Sequence, residues 1–386
     1  MRLVLILSCL LALTAAQQGT VAVFEAYSGS YPPCFREPVL LKTSSDGQSL
    51  LALAVGRNKS VDCSGAGDGP PPFLIVLRAS SDGGQTWGTR STLLTSGGID
   101  FLGGVWDGAS SAHLFIQDGA KILHSTVAAD GSSVSPLVPV TPKLPAGVAS
   151  AVPAVTVGLR LRGDLCSEPT CAGAVGRFII PFICHAAAPA AAASRDVACP
   201  GCRSCLLLSD DGNSWRFGAV SEQDGSREAS AVQVAGAAAG GAALWVTERA
   251  MGNETGSRLY ALSADGGESF DAFGVDPALP DPVTANWTGV VSGASRFDAG
   301  GVARVIFTAP TQRTARADLG VYASVDEARS WVGPAPLWKG PAGYSSTVQV
   351  NSTHAAVLFE CGDEGSGDFA QRIAFRLMSV ADLPAV

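Results

Sequence analysis

Eight side chains stand out for what they could do together. Arg36, Arg57 and Asp62 lie close in sequence, with Arg57 21 residues after Arg36 and Asp62 five residues further on. Glu228 and Arg249 lie mid-chain, with Arg258 as the alternative to Arg249; Arg316, Tyr344 and Glu360 lie late. Guanidinium groups hold carboxylates through planar, charge-assisted hydrogen bonds. A hydroxyl with a carboxylate base beside it is a nucleophile, and a further carboxyl group can give and take protons. Taken singly, each residue has a plainer reading: a surface Arg, an aromatic at a turn, a solvated acid or a loop cap. Only a fold that brings distant segments to one place makes them a site.

A repeated turn points to such a fold. Residues 80–87 read Ser-Ser-Asp-Gly-Gly-Gln-Thr-Trp. The pattern returns at Ser263, Asp265, Gly267, Ser269 and Phe270, and at Ser324, Asp326, Ser330 and Trp331 with Ala328 in place of Gly. A looser copy places Asp210, Gly212, Ser214 and Trp215, with Leu208 where Ser is expected, and Asp130-Gly131 is a candidate remnant. In each, the Asp can accept backbone N–H bonds within its own turn, the Gly can take φ > 0 and the aromatic can pack between sheets. Spacings of 55 and 61 residues separate Asp210, Asp265 and Asp326. A period near 60 in a strand-rich chain predicts a β-propeller, and residues 20–383 accommodate six blades. Short apolar or alternating runs bounded by Gly, Pro, Asp or Ser supply the strands, among them Val39–Leu41, Phe73–Leu77, Val152–Leu159 and Ala355–Phe359. Thr20–Glu25 and Ile373–Met378 are expected to close one blade from both chain ends. The fold class is therefore all-β, a six-bladed propeller.

Residues 1–16 have the pattern of a secretory signal: Arg2, an apolar run from Leu3 to Leu13, then small residues. Residues 17–386 are then expected to form one domain. Later apolar runs are too short to span a membrane. A net charge of −8 argues against nucleic acid and anionic membrane surfaces as partners. Sequons at Asn58, Asn253, Asn286 and Asn351 agree with a secreted or lumenal location, lysosomal included. Nine of the ten cysteines remain after the signal, so at least one is unpaired within the chain. Cys199, Cys202 and Cys205, with Cys184-His185 upstream, allow a zinc site, but disulfides are the expected use in an oxidising compartment. Cys34 and Cys63 flank Arg36 and Asp62, and Cys166 and Cys171 could close a small loop. Four histidines give no pH switch by pattern.

The ordered set resembles the sialidases. It comprises Phe35-Arg36-Glu37-Pro38, the Asp boxes just described, Gly176-Arg177-Phe178-Ile179-Ile180-Pro181, Arg316-Ala-Asp-Leu-Gly-Val-Tyr322, Gly343-Tyr344-Ser345-Ser346 28 residues after Arg316, and Phe359-Glu360. The resemblance implies an exo-α-sialidase that releases terminal sialic acid from glycoproteins, glycolipids or oligosaccharides. It places Arg36, Arg249 (or Arg258) and Arg316 on the substrate carboxylate, Tyr344 as nucleophile and Glu228 as its base. Asp62 matches the acid/base, with Asp68 a rival in the same loop. Arg57 matches an extra arginine on the glycerol side, and Glu360 the residue that orients Arg36. A neutral Tyr avoids the repulsion a carboxylate nucleophile would suffer beside the substrate carboxylate; such a Tyr is the recognised exception among glycosidases. Two displacements give retention, and no metal or organic cofactor is implied. Transfer to another sugar would use the same residues. A non-catalytic propeller that binds glycan or protein is the other reading. Glu37 departs from the family's apolar residue at that position, and either points away harmlessly or weakens the clamp.

Overall fold

In the computed structural model, described for residues 19–385 except 30, 60–61, 66–68, 99–100, 167–170, 172, 188–198, 237–242, 253–254 and 285–286, six sheets, antiparallel but for one short parallel pair, form a propeller. The signal-like residues 1–16, the alternative Asp68 and the sequons at Asn253 and Asn286 lie outside the described residues. The first blade runs Cys34–Lys42, Leu50–Arg57, Phe73–Ser80 and Ser91–Ser96 from the axis outward. The innermost strands of the fourth, fifth and sixth blades are Ser226–Gln233, Gly293–Arg296 and Ala342–Gln349. Thr20–Glu25 pairs with Arg372–Ser379 and so closes the sixth blade from the chain's two ends, as the sequence predicts.

Burial on both faces explains why middle strands were legible and outer ones were not. Leu50–Arg57 is buried at every position, whereas Ser91–Ser96 and Val332–Pro336 are largely open to solvent and carry no continuous apolar run of large side chains. One predicted strand is corrected. Val152–Leu159 breaks into three pieces, because Val155 takes a φ of 55°. Val148–Pro153 belongs to the third blade, Thr156–Val157 pairs in parallel with Leu102–Trp106 of the second, and Leu159–Arg160 returns to Phe178–Ala186.

The repeated turns join the third and fourth strands of their blades and lock each blade to the one before. At the first, Ser80 Oγ accepts from the Gly84 amide at 2.9 Å and Asp82 accepts from the Thr86 amide at 2.9 Å. Bonds from the Thr86 hydroxyl and amide hold Asp82 down at about 2. Trp87 then packs on Phe375 of the sixth blade, with ring centroids 5.4 Å apart. Trp331 packs likewise on Trp245 of the fourth blade, and Trp215 on Phe115 of the second. The looser copy is corrected by one residue. Its turn is built on Ser209 and Asp211, and Asp210 instead pairs with Arg177 at 2.6 Å. The turn is one residue shorter than the others, which put the pattern out of phase. At the remnant, Asp130 accepts from the Ser132 amide at 2.9 Å in the equivalent place.

Among the described residues, four disulfides join Cys34–Cys63, Cys166–Cys171, Cys184–Cys205 and Cys199–Cys202, leaving Cys361 free and buried. The disulfide expectation is met, and Cys184–Cys205 takes two residues from the zinc alternative; His185, Cys199 and Cys202 still lie close enough together to hold a metal ion. No helix among the described residues is long and apolar enough to cross a membrane.

Between the second and third blades, His113 and His124 stack with ring nitrogens 3.0 Å apart, beside Trp215. Burial lowers the pKa of both; the neighbouring His113 adds to the effect on His124, which falls to about 4, while Asp107 opposes it at His113. This pair was invisible to sequence pattern. An unfolded chain takes up protons below about pH 6.5 that the folded pair refuses. Stability is therefore expected to fall as pH drops from there toward 4, and urea midpoints of His124→Phe are expected to show a flatter acid limb than wild type. Equal slopes in the two proteins would count against this assignment.

Candidate active site

Three inner strands present their third residues to the same mouth of the axis: Arg36, Glu228 and Tyr344. Each lies at a break in register, between Arg36 and Val39, Arg227 and Ser230, and Ala342 and Ser345. Such bulges re-aim side chains that regular pleating would turn into a blade. Glu37 and Glu228 pay for this with φ of 63° and 46°, sparsely populated for residues with a Cβ. The neighbouring strands run antiparallel, so their far ends reach the same mouth and bring Arg57, Arg249 and Glu360. Arg316 comes from the loop between Val305–Pro310 and Leu319–Ser324 of the fifth blade.

Tyr344 is the centre. The guanidinium carbons of Arg36, Arg249 and Arg316 lie 5.3, 5.8 and 5.4 Å from its ring centroid. Arg249 Nη1 donates to Tyr344 Oη at 2.8 Å and also to Glu228, so one nitrogen bridges the phenol and the carboxylate. Arg227 holds the other Glu228 oxygen at 2.9 Å. Burial acts to raise the pKa of Glu228, but Arg227, Arg249 and Arg316 together carry it down to about 2. Glu360 is wholly buried. It accepts from Arg36 Nε at 2.7 Å, from the Glu37 amide at 2.9 Å and from the Tyr344 amide at 3.0 Å, and thus fixes an arginine and two backbones at once.

Arg316 differs from its neighbours. Its Nη2 donates to the Gly289 carbonyl at 3.0 Å, and its plane meets Trp287, Tyr344 and Phe369 at 5.0, 5.4 and 5.1 Å. No carboxylate pairs with it among the described residues, and its buried Nε has no hydrogen-bond partner. Burial, assisted by Arg249 and Arg36 against Tyr344 and Glu360, lowers its pKa to about 10. Desolvated cations without counter-ions are costly. The arrangement has the electrostatics of an anion site.

Arg258 is fully buried on Asp281 at 3.0 Å and the Val290 carbonyl at 2.8 Å, stacked over Phe307. Of the two alternatives, Arg249 is the one brought to Tyr344. Asp62 is exposed, with φ of 51°, on the loop that the Cys34–Cys63 disulfide ties to the first inner strand. Cys34 and Cys63 pack with Phe369 and Trp287, the rings under Arg316, so the loop borders the site.

Glu37 pairs with Arg57, both buried. The departure from the expected apolar residue thus engages Arg57 directly, while its charge still acts on Arg36. Removing one partner of a buried pair strands the other. Glu37→Ala is expected to cost about 3–5 kcal/mol in urea unfolding, whereas a loss below about 1 kcal/mol, the range of exposed pairs, would show the pair to be solvated in solution. Sequence reasoning missed Arg227, Trp287, Phe369 and Asp281. Arg227 precedes Glu228 and was within reach; the two aromatics stand in loops with no pattern to mark them.

The BNR repeat-like domain family matches residues 166–357. No curated protein matches the chain by sequence. Several solved structures share its fold. A Hadza microbial sialidase superposes with a TM-score of 0.70 at 17% identity, covering 94% of this chain and 69% of its own. The Trypanosoma rangeli sialidase, solved with the inhibitor DANA, gives 0.68 at 15% identity, over 94% of this chain and 60% of its own. The intramolecular trans-sialidase of Ruminococcus gnavus, in complex with oseltamivir carboxylate, gives 0.66 at 14% identity, over 94% and 98%. The chain spans less than two thirds of the trypanosomal protein. At these identities the likeness is one of fold: a six-bladed propeller of the kind sialidases have.

Proposed function

We propose that this chain is an exo-α-sialidase that works with retention through Tyr344. The observation that carries the reading is the set of three guanidinium groups around one tyrosine, of which Arg316 lacks a carboxylate partner among the described residues. A substrate whose anomeric carbon bears a carboxylate would complete that set and place the anomeric carbon near the phenol. Its carboxylate would compete for Arg249 Nη1, which otherwise holds Glu228 and Tyr344 together. Freed of that bond, Glu228 would become the stronger base that attack by the phenol requires. Asp62, on its disulfide-anchored loop, would protonate the leaving oxygen and then activate water. The net charge of −8 repels an anion at long range, so capture depends on the arginines within about a Debye length, ~8 Å.

Terminal sialic acid on glycoproteins, glycolipids or oligosaccharides is the substrate class, and no metal or cofactor enters this scheme. Four disulfides together with the signal-like segment support a secreted or lumenal location. Hydrolysis of a fluorogenic α-sialoside by the purified chain, between acid and neutral pH, tests the proposal. Turnover with initial release of the α-anomer is the expected result. A folded chain that binds sialic acid without turnover would instead be a binding propeller, and transfer to an added galactoside in preference to water would make it a trans-sialidase.

A further inference from the structure

The same inner strands that carry Glu228 and Tyr344 open at their other ends into a second cavity, of about 600 Å³. It lies on the propeller axis, on the far side of the layer in which Thr156 and Ser230 hydroxyls meet at 3.1 Å. Small-molecule sites occupy roughly 300–1,000 Å³ and are mostly apolar with a few placed polar groups. This cavity fits that description. Trp106, Val157, Leu159, Leu165 and Val175 supply its accessible apolar surface, beside the polar side chains of Gln233, Ser295 and Gln349.

The rim is cationic and unequally paired. Arg162 and Arg296 are engaged by Asp164, Asp298 and Glu327. Arg160 bonds only backbone carbonyls among the described residues, at Gly176 and Asp107, and lies over Phe178. Lys42 has no carboxylate within ion-pair distance among the described residues; its ammonium lies over the Trp106 ring at 5.6 Å. Burial lowers the pKa of Lys42, Asp46 opposing and Arg162 assisting. An ammonium that is half desolvated against an aromatic face, above an apolar well, is arranged for an anion whose remainder is apolar.

We propose that this far mouth is a second binding site, for a carboxylate with an unbranched or aryl apolar body, its head on Lys42 and its body against Val157, Leu159 and Leu165. The site lies outside the arginine cluster around Tyr344, so its fate is independent of the sialidase reading.

The probe is decanoate, titrated into the full-length protein by calorimetry and followed by quenching of Trp106 fluorescence, which Trp106→Phe identifies. Saturable one-to-one binding is expected. Loss of one partly buried charge-assisted contact should weaken it about tenfold or more in Lys42→Met, which keeps the apolar stem. Decanol, with no charge, should bind wild type and Lys42→Met alike and weakly. No saturable binding of decanoate to wild type overturns the proposal, as does equal affinity for wild type and Lys42→Met. Sialoside turnover by Lys42→Met is expected to equal that of wild type, which separates this outcome from any failure at Tyr344.

Discussion

Tyr344→Phe is expected to lower kcat on an α-sialoside by about 10³-fold or more, as loss of a nucleophile does elsewhere, while binding of sialic acid changes little. Only the phenolic oxygen is removed. The ring that meets the three guanidinium groups stays, and so does the backbone amide held by Glu360. Tyr344 Oη accepts one hydrogen bond from Arg249, whose other anchors on Glu228 and the Thr288 carbonyl remain. The fold should therefore survive the change, with thermal unfolding close to wild type. Turnover that persists in the variant would remove Tyr344 from the chemistry and leave the activity to be explained by another group.

The second large effect concerns Arg316, and here function and stability are expected to part. Its pKa falls from the usual 12.5 to about 10, chiefly through burial. A base whose folded pKa lies below its unfolded value destabilises the fold at every pH below the folded value, because the unfolded chain holds the proton more tightly. A drop of this size corresponds to about 3 kcal/mol. Bonds to the Gly289 carbonyl and to three aromatic faces hold the cation in place despite that cost. Arg316→Met should accordingly keep or raise the unfolding temperature, since apolar replacement of a buried charge is often neutral or stabilising. The same variant should weaken sialic acid binding by about 10²- to 10³-fold, the loss expected for a buried charge-assisted contact. A variant that is less stable yet still binds would contradict the view of Arg316 as an anion seat waiting for its partner.

Much of this was legible in sequence, for identifiable reasons. The turns at Asp82, Asp265 and Asp326 repeat because each must satisfy the same backbone donors and seat an aromatic against the preceding blade. That made both the blade count and the closure by Thr20–Glu25 readable. Deletion of one residue hid the turn at Asp211, because a pattern is read by phase whereas hydrogen bonds tolerate the shorter loop. The convergence of Arg36, Tyr344 and Glu360 was accessible from the order of short motifs. The choice between Arg249 and Arg258 was not. Both are buried arginines in adjacent strands of one blade, and only the register shows which reaches the mouth and which faces Asp281. The pairing of Glu37 with Arg57 was equally hidden, since it depends on a bulge and a positive φ rather than on any neighbouring residue type. Trp287 and Phe369 stand under Arg316 from loops whose course no local pattern dictates.

The most direct test of the central claim is to trap the covalent intermediate. In 2,3-difluorosialic acid the anomeric fluoride leaves readily, while the second fluorine disfavours the oxocarbenium-like transition state by which the glycosyl–enzyme bond would break. This compound forms a covalent intermediate in the Trypanosoma rangeli sialidase. The protein would be incubated with it, digested, and the modified peptide sequenced by mass spectrometry. One sugar on the oxygen of Tyr344, absent from Tyr344→Phe, is the predicted result. A sugar on Glu228 or Asp62, or an unmodified protein that nonetheless turns over an α-sialoside, would contradict the account.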